Sequence, residues 1–236
     1  MDTPGQKIVA AAWRALPFLI LLLLLLPPDL FSRAGGGGGG GGRGGGIGAI
    51  LIYPFVLVYI AFLHYKIYTK NREAAALIER ISAADGGWNM ENLKNRVAEC
   101  YFKVQEAWTG RDQELARAYM SRRLYDKHKA ETDLMIEKGE RNVLKDIDLL
   151  EARIVEAVDY TDNSRDQFWV YIKGAMIDYK AREPGGEVIS GKPHEQEKFT
   201  ELWKFTREGG RWVLDEIDPE VGMDDLSSFR SRSEQS

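Results

Sequence analysis

The stretch Ile47–Tyr65, IGAILIYPFVLVYIAFLHY, runs nineteen residues without a charge. As a helix rising about 1.5 Å per residue it is long enough for a hydrocarbon core of roughly 30 Å, so residues 47–65 are expected to form a transmembrane helix. Tyr53, Tyr59, Tyr65 and His64 suit the interfaces, and Pro54 is tolerated in a bilayer as a kink. His64 reads as an interfacial residue rather than a ligand, because no second ligand lies within helical reach. Lys66, Lys70 and Arg72 follow at once, with only Arg43 opposing them on the other flank, so the positive-inside bias places the C-terminal side in the cytoplasm.

Ahead of this segment, residues 8–26 read IVAAAWRALPFLILLLLLL, with Lys7 and Arg14 before the apolar run. That order is the one of a secretory signal, and Ser32-Arg33-Ala34 sets small residues for cleavage after Ala34. The alternative is an uncleaved anchor using Ile8–Leu26, which gives two spans instead of one. Residues 1–34 are thus a signal peptide or a signal anchor. From Gly35 to Gly48 twelve of fourteen positions are glycine, a flexible linker. No Lys-Ser/Thr follows these glycines, so they are no phosphate loop.

Charge and cysteine content narrow the function further. Residues 1–65 carry four basic against two acidic residues, which leaves 28 basic against 34 acidic for the rest. The water-exposed part is acidic, so nucleic acid is not an expected partner. The single cysteine, Cys100, makes no intrachain disulfide, and no Cys/His set has metal spacing. We expect no metal and no cofactor.

Residues 66–87 continue with helix formers as a juxtamembrane stalk, stopped by Asp85-Gly86-Gly87. Asn89 is placed to cap a helix running to Trp108, with Leu93, Val97, Tyr101, Val104 and Trp108 on one face and Gly110 beyond its end. Asp112 caps a second helical piece with Leu115 and Tyr119. Ser121 caps a third, carrying Leu124, Tyr125, His128 and Met135 until Gly139. After Gly139 the period becomes alternating. Strands are expected over 148–160, 167–182, 198–207 and 211–218, separated by the turn 161–166, a loop of sequence PGGEVISGKPHEQE and Gly209-Gly210. On the second strand Phe168, Val170, Ile172 and Met176 share a face. Helices followed by an antiparallel meander make an α+β fold, with N-terminal helices packed on a curved antiparallel sheet. Residues 220–236 are polar and expected to be disordered.

The helical segment YFKVQEAWTGRDQELARAYMSRRLYDKH, from Tyr101 to His128, and the hairpin KFTELWKFTREGGRWVLDEID, from Lys198 to Asp218, together resemble the Tim-forty-four-like domain family. That family is named for a subunit of the mitochondrial inner-membrane translocase and has bacterial membrane-anchored members. The resemblance covers residues 88–219. Its most telling pieces are the Gln105-Ala107-Trp108 helix end, Asp112 with Leu115, and the Phe199, Trp203, Phe205 and Trp212 hairpin. It implies a cone-shaped α+β sandwich similar to the nuclear-transport-factor-two-like superfamily. It also implies a non-enzymatic, membrane-facing domain with a hydrophobic concavity that contacts acyl chains, lipid headgroups or protein segments. The translocase subunit has a long charged N-terminal region where this chain has a glycine linker and a span, so chaperone tethering does not carry over.

The reading is therefore a membrane-anchored binding or assembly module of a bacterial inner or plasma membrane, with membrane lipid and a protein partner or hydrophobic segment as its partners. The candidate hydrophobic pocket is Trp203, Phe205, Phe199 and Tyr171, since large side chains around a concavity supply area with few polar groups. The candidate headgroup contacts are Lys66, Lys70 and Arg72, with Arg80 and a second basic group, Arg122, Arg123, Lys127 and Lys129. The alternative function is a membrane-tethered small-substrate enzyme of the same cone-shaped superfamily. Asp178, Tyr171, Tyr179 and His128 would be its candidates, though no spacing forces any two of them together. His194, Glu195 and Glu197 lack the second histidine of a zinc helix and read as solvated, and Cys100 has no neighbouring histidine to activate it.

Overall fold

A computed structural model of the chain describes residues 45–234, with side chains from Tyr53 on. The expected signal segment, its cleavage site at Ala34 and most of the glycine linker lie outside the described residues. The first helix, α1, spans Gly45–Ile81 and so takes in the last four residues of the expected linker and the whole apolar run. Among the described residues no helix is long and apolar enough to cross a membrane, and the run's first six residues precede the described side chains. The described residues divide into two units, one ending at Leu63 and the other beginning at His64. In the first, Tyr53, Phe55, Val56, Val58, Tyr59, Ile60 and Phe62 are exposed.

In the second unit the stretch expected as a free stalk is part of the domain. Ala74, Leu77, Ile78 and Ile81 recur every three or four residues and are buried in the same cluster as Trp88, Leu93 and Phe168. The reason is amphipathicity: one helical stripe there is apolar, and it finds a core to bury against. Lys70 is buried too, its Nζ donating to Glu73 at 2.7 Å and to the Phe229 carbonyl at 2.9 Å.

After a turn in which Asp85 accepts from the Gly87 N–H, helix α2 runs Met90–Gly110, capped by the Asn89 side chain on the Asn92 N–H. Leu93, Val97, Tyr101 and Val104 are fully buried, as their spacing demands. Gly110 is the helix's last residue rather than its stop. Arg111 takes the left-handed conformation, φ 53°, and is held there by Glu183 at 2.8 Å and the Glu140 carbonyl at 3.1 Å. Asp112 caps a short 3-10 turn, Gln113–Ala116. Ser121 caps α3, Arg122–Glu137, accepting from the Leu124 N–H while donating to Asp215.

The sheet has six strands: β1 Glu140–Asp159, β2 Gln167–Arg182, β3 Val188–Gly191, β4 Glu197–Glu208, β5 Arg211–Asp218 and β6 Arg232–Ser233. Their order is β5-β4-β2-β1-β6, with β3 paired to the end of β2. All neighbours are antiparallel except β1 and β6. Three register shifts along β1 and one in β4–β5 add twist, which bends the sheet around the helices. β1 starts eight residues earlier than alternation suggests, and β3 lies inside the expected loop. Even positions of β2 and odd positions of β4 form the inner face: Phe168 stacks on Phe205 at 4.8 Å, and Trp88 and Trp212 meet Phe168 edge-on.

The segment expected to be disordered is instead ordered to Glu234. It forms α4, Met223–Ser228, and β6. Its few apolar groups are well used, with Leu226 buried and Phe229 stacked on Trp169 at 5.6 Å on the outer sheet face. Polar partners complete the hold: Glu156 accepts from the Arg230 N–H at 2.6 Å, and Asp159 from the Ser233 hydroxyl at 2.6 Å.

Candidate functional site

Beyond Tyr101 and Trp203 the curled sheet opens into a cavity of about 420 Å³. Helix α2 contributes Val104, Gln105 and Trp108, and α3 contributes His128. The start of β1 brings Asn142 and Leu144, and the end of β2 brings Met176 and Asp178. Glu197, Lys198, Phe199 and Glu201 of β4 and Ile217 of β5 close the wall. Gly174 shapes the floor. A Cβ there would stand 2.8 Å from Phe199 Cε1, and closer to its Cζ and to the Tyr101 hydroxyl, so only glycine lets both rings press against β2.

The polar groups of this cavity are strained electrostatically. His128 is buried, packs edge-on against Trp108 at 5.1 Å, and its Nδ1 has no hydrogen-bond partner. Burial, aided by the nearby Lys127 charge, brings its pKa down to about 4, so the imidazole is neutral at pH 7. Burial pushes the Glu201 carboxyl above its ordinary range, against the opposing hydrogen bond from Trp203 Nε1 at 2.7 Å. Asp178 is also raised by burial of its carboxyl, with Asn142 opposing and the Glu197 charge adding to the rise. At the mouth, Glu197 is paired with Lys192 at 2.7 Å.

Of the four residues expected to line a pocket, Phe199 alone does. Trp203 and Phe205 are fully buried core residues, Trp203 tilted over Tyr101 at 5.6 Å. Tyr171 occupies an odd position of β2 and is buried on the opposite sheet face. The sheet's curl does bring His128 and Asp178 to one cavity, although nothing in their spacing requires it. Tyr179 is elsewhere, beside the hairpin of β2 and β3 with Lys145 over its ring at 5.6 Å. Glu201 is the cavity residue that sequence reasoning misses, and its signal is a charge at an inward position between Phe199 and Trp203.

Among the headgroup candidates, Lys70 is committed to internal partners, and Arg72 lies over the Tyr68 ring at 5.9 Å. In the second basic group, Arg123 is tied to Asp215 at 2.9 Å and Lys129 to Asp133 at 2.9 Å. His194 is exposed, and no group of residues fit to hold a metal occurs among the described residues. Cys100 is buried with its thiol pushed up to about 12 by burial, which makes it inert.

The family description "Tim44-like domain" matches residues 74–219, well over half the chain. The chain belongs to the Tim44-like family. The match begins at residue 74 rather than at Trp88, in step with the packing of the end of α1 into the Tim44-like core. Among solved structures, the intermembrane space region of the chloroplast protein ARC6 is similar at a TM-score of 0.42 and 11% identity, covering 57% of this chain and 98% of that one. Aln2 from a Streptomyces species is similar at a TM-score of 0.33 and 15% identity, covering 59% and 96%. No curated protein sequence matches the chain.

Proposed function

We propose that this Tim44-like protein is a non-enzymatic binding or assembly module, held at a bacterial inner or plasma membrane by α1, with its domain on the cytoplasmic side. The observation that carries the reading is the change of character along α1. From Tyr53 to Phe62 most large apolar side chains are exposed, Phe55 by 76%, while from Ile67 to Ile81 the apolar stripe is buried in the domain core. A long exposed apolar helix surface is covered by lipid or by a partner, and the uncharged run from Ile47 has the length for lipid. The cavity supports the binding half of the proposal: a concave site with apolar walls and a few convergent polar groups takes a small ligand or an inserted side chain.

Membrane fractionation tests the anchoring. The full chain should stay in the membrane pellet through alkaline extraction, and Val56→Glu with Ile60→Glu should release it. Full-length protein in the soluble fraction would refute the reading. A second reading, a membrane-tethered small-substrate enzyme, draws on the convergence of neutral His128 with Asp178 in one cavity. Turnover of acyl, lactone or steroid-like substrates that Asp178→Asn abolishes would establish it, and silence across the panel removes it.

A further inference from the structure

Deepening the binding reading, and resting on it, we propose that the cavity takes an apolar molecule carrying a single ammonium head. Among its charged lining residues three are carboxylates, Asp178, Glu197 and Glu201, against one ammonium, Lys198. On β4, alternation turns Glu197, Phe199 and Glu201 to the cavity side, and exposed Lys198 borders the cavity from between them. Asp178 follows Phe168, Val170, Ile172 and Met176 on the inward positions of β2. Glu197 is paired with Lys192, whereas Glu201, which lines the cavity, accepts through one oxygen from Trp203.

His128 is the independent observation. It is 8% exposed, lines the same cavity, and its Nδ1 is buried without a partner. In the Nε2–H tautomer of the neutral imidazole Nδ1 is an acceptor, and an ammonium selects that tautomer by donating to it. A buried acceptor left unpaired costs free energy that a donor-rich ligand recovers. The raised Glu201 carboxyl says the same: burial disfavours its charge, and an ammonium beside it supplies a counterion, while exposed Asp178 adds a second carboxylate to the lining. An anionic head would meet the Glu201 and Asp178 carboxylates, with exposed Lys198 and the Gln105 and Asn142 amides as its donors, and Asn142 already serves Asp178. Trp108 and Phe199 add aromatic lining, which suits a cation.

The test uses the full chain in lipid nanodiscs at pH 7, titrated with phenylpropylamine, phenylpropanol and phenylpropanoate by calorimetry, with empty nanodiscs as blank. The amine should bind about tenfold or more tightly than the carboxylate, as one charge-assisted hydrogen bond gives. The double variant Glu201→Gln with Asp178→Asn should bring all three within about twofold of one another. Glutamine still accepts from Trp203, and an unchanged circular dichroism spectrum establishes that the variant is folded. Equal affinity for the three heads in the wild-type chain, or preference for the carboxylate, would overturn the ammonium assignment and leave the binding reading standing. No binding of any of the three would overturn both.

Discussion

Removing the Arg207 guanidinium should cost the domain about 4 kcal/mol, the middle of the range for breaking a buried ion pair. Arg207 Nη1 bonds both Asp85, in the turn that ends α1, and Asp166, at the start of β2, the latter at 3.1 Å. Asp166 is fully buried and the Arg207 side chain is 11% exposed, so solvent cannot replace the lost partner. Arg207→Leu keeps the apolar stem and leaves Asp166 without its counterion. For a domain of this size, a urea dependence of about 2 kcal/mol per molar turns that loss into a midpoint shift of about 2 M. The assay is urea unfolding of residues 64–236 followed by tryptophan fluorescence. pH supplies a second check. The Arg207 hydrogen bond holds Asp85 below the usual carboxylate range, so its contribution is present above the unfolded value and is lost as pH falls through the folded one. Burial raises Asp166, whose charge therefore opposes folding above its own titration. In the variant Asp166 loses the one cation that opposed its burial and favours the protonated form more strongly, so the stability gap to wild type should narrow as pH falls from 7 to 5. A loss under about 1 kcal/mol, the scale of a solvated pair, or a gap that widens on acidification, would refute the reasoning.

Gly174→Ala drives a methyl into the Phe199 ring and the Tyr101 hydroxyl, so thermal unfolding should show a loss of about 1–3 kcal/mol. An unchanged midpoint would mean that the cavity floor is loose. Phe229→Ala strips the outer-face stack on Trp169 and should cost about 3 kcal/mol in the same urea assay. If the variant unfolds like wild type, the C-terminal segment contributes nothing. Cys100 should resist an aromatic disulfide reagent up to pH 9 in the folded chain and react at once in urea, because burial holds the thiol protonated. Reaction in the native state at a free-thiol rate would contradict that.

Where local chemistry is complete, the sequence carries the structure. The Asn89 and Ser121 caps, the α2 stripe and the limits of β2 and β5 all follow from spacing and turn residues within a few positions. β1 reads short because its first half is interrupted: Asp146 adopts φ 48° at a register shift, and a bulge destroys the period of two that marks a strand. β3 is exposed along its whole length, so no burial pattern announces it. The end of α1 and the C-terminal segment mislead for one reason. Their buried partners lie far away in sequence, as with Lys70 and Phe229 or Glu156 and Arg230, and a polar stretch reads as solvated until those partners are known. The cavity is harder still, since it draws its walls from six elements and exists through the sheet's curl. The aromatic alternation of β4 is legible, but it identifies core, and the one charged residue within it, Glu201, marks the site better than the rings beside it.

Native mass spectrometry of the full chain, released from its own membrane in mild detergent beside a Val104→Trp variant that fills the cavity, tests the central claim most directly. A membrane-held binding module should carry a small apolar ligand as a discrete mass addition in the wild-type chain and lose it in the variant. A chain that emerges bare, or that carries the same addition with the cavity filled, would contradict the account.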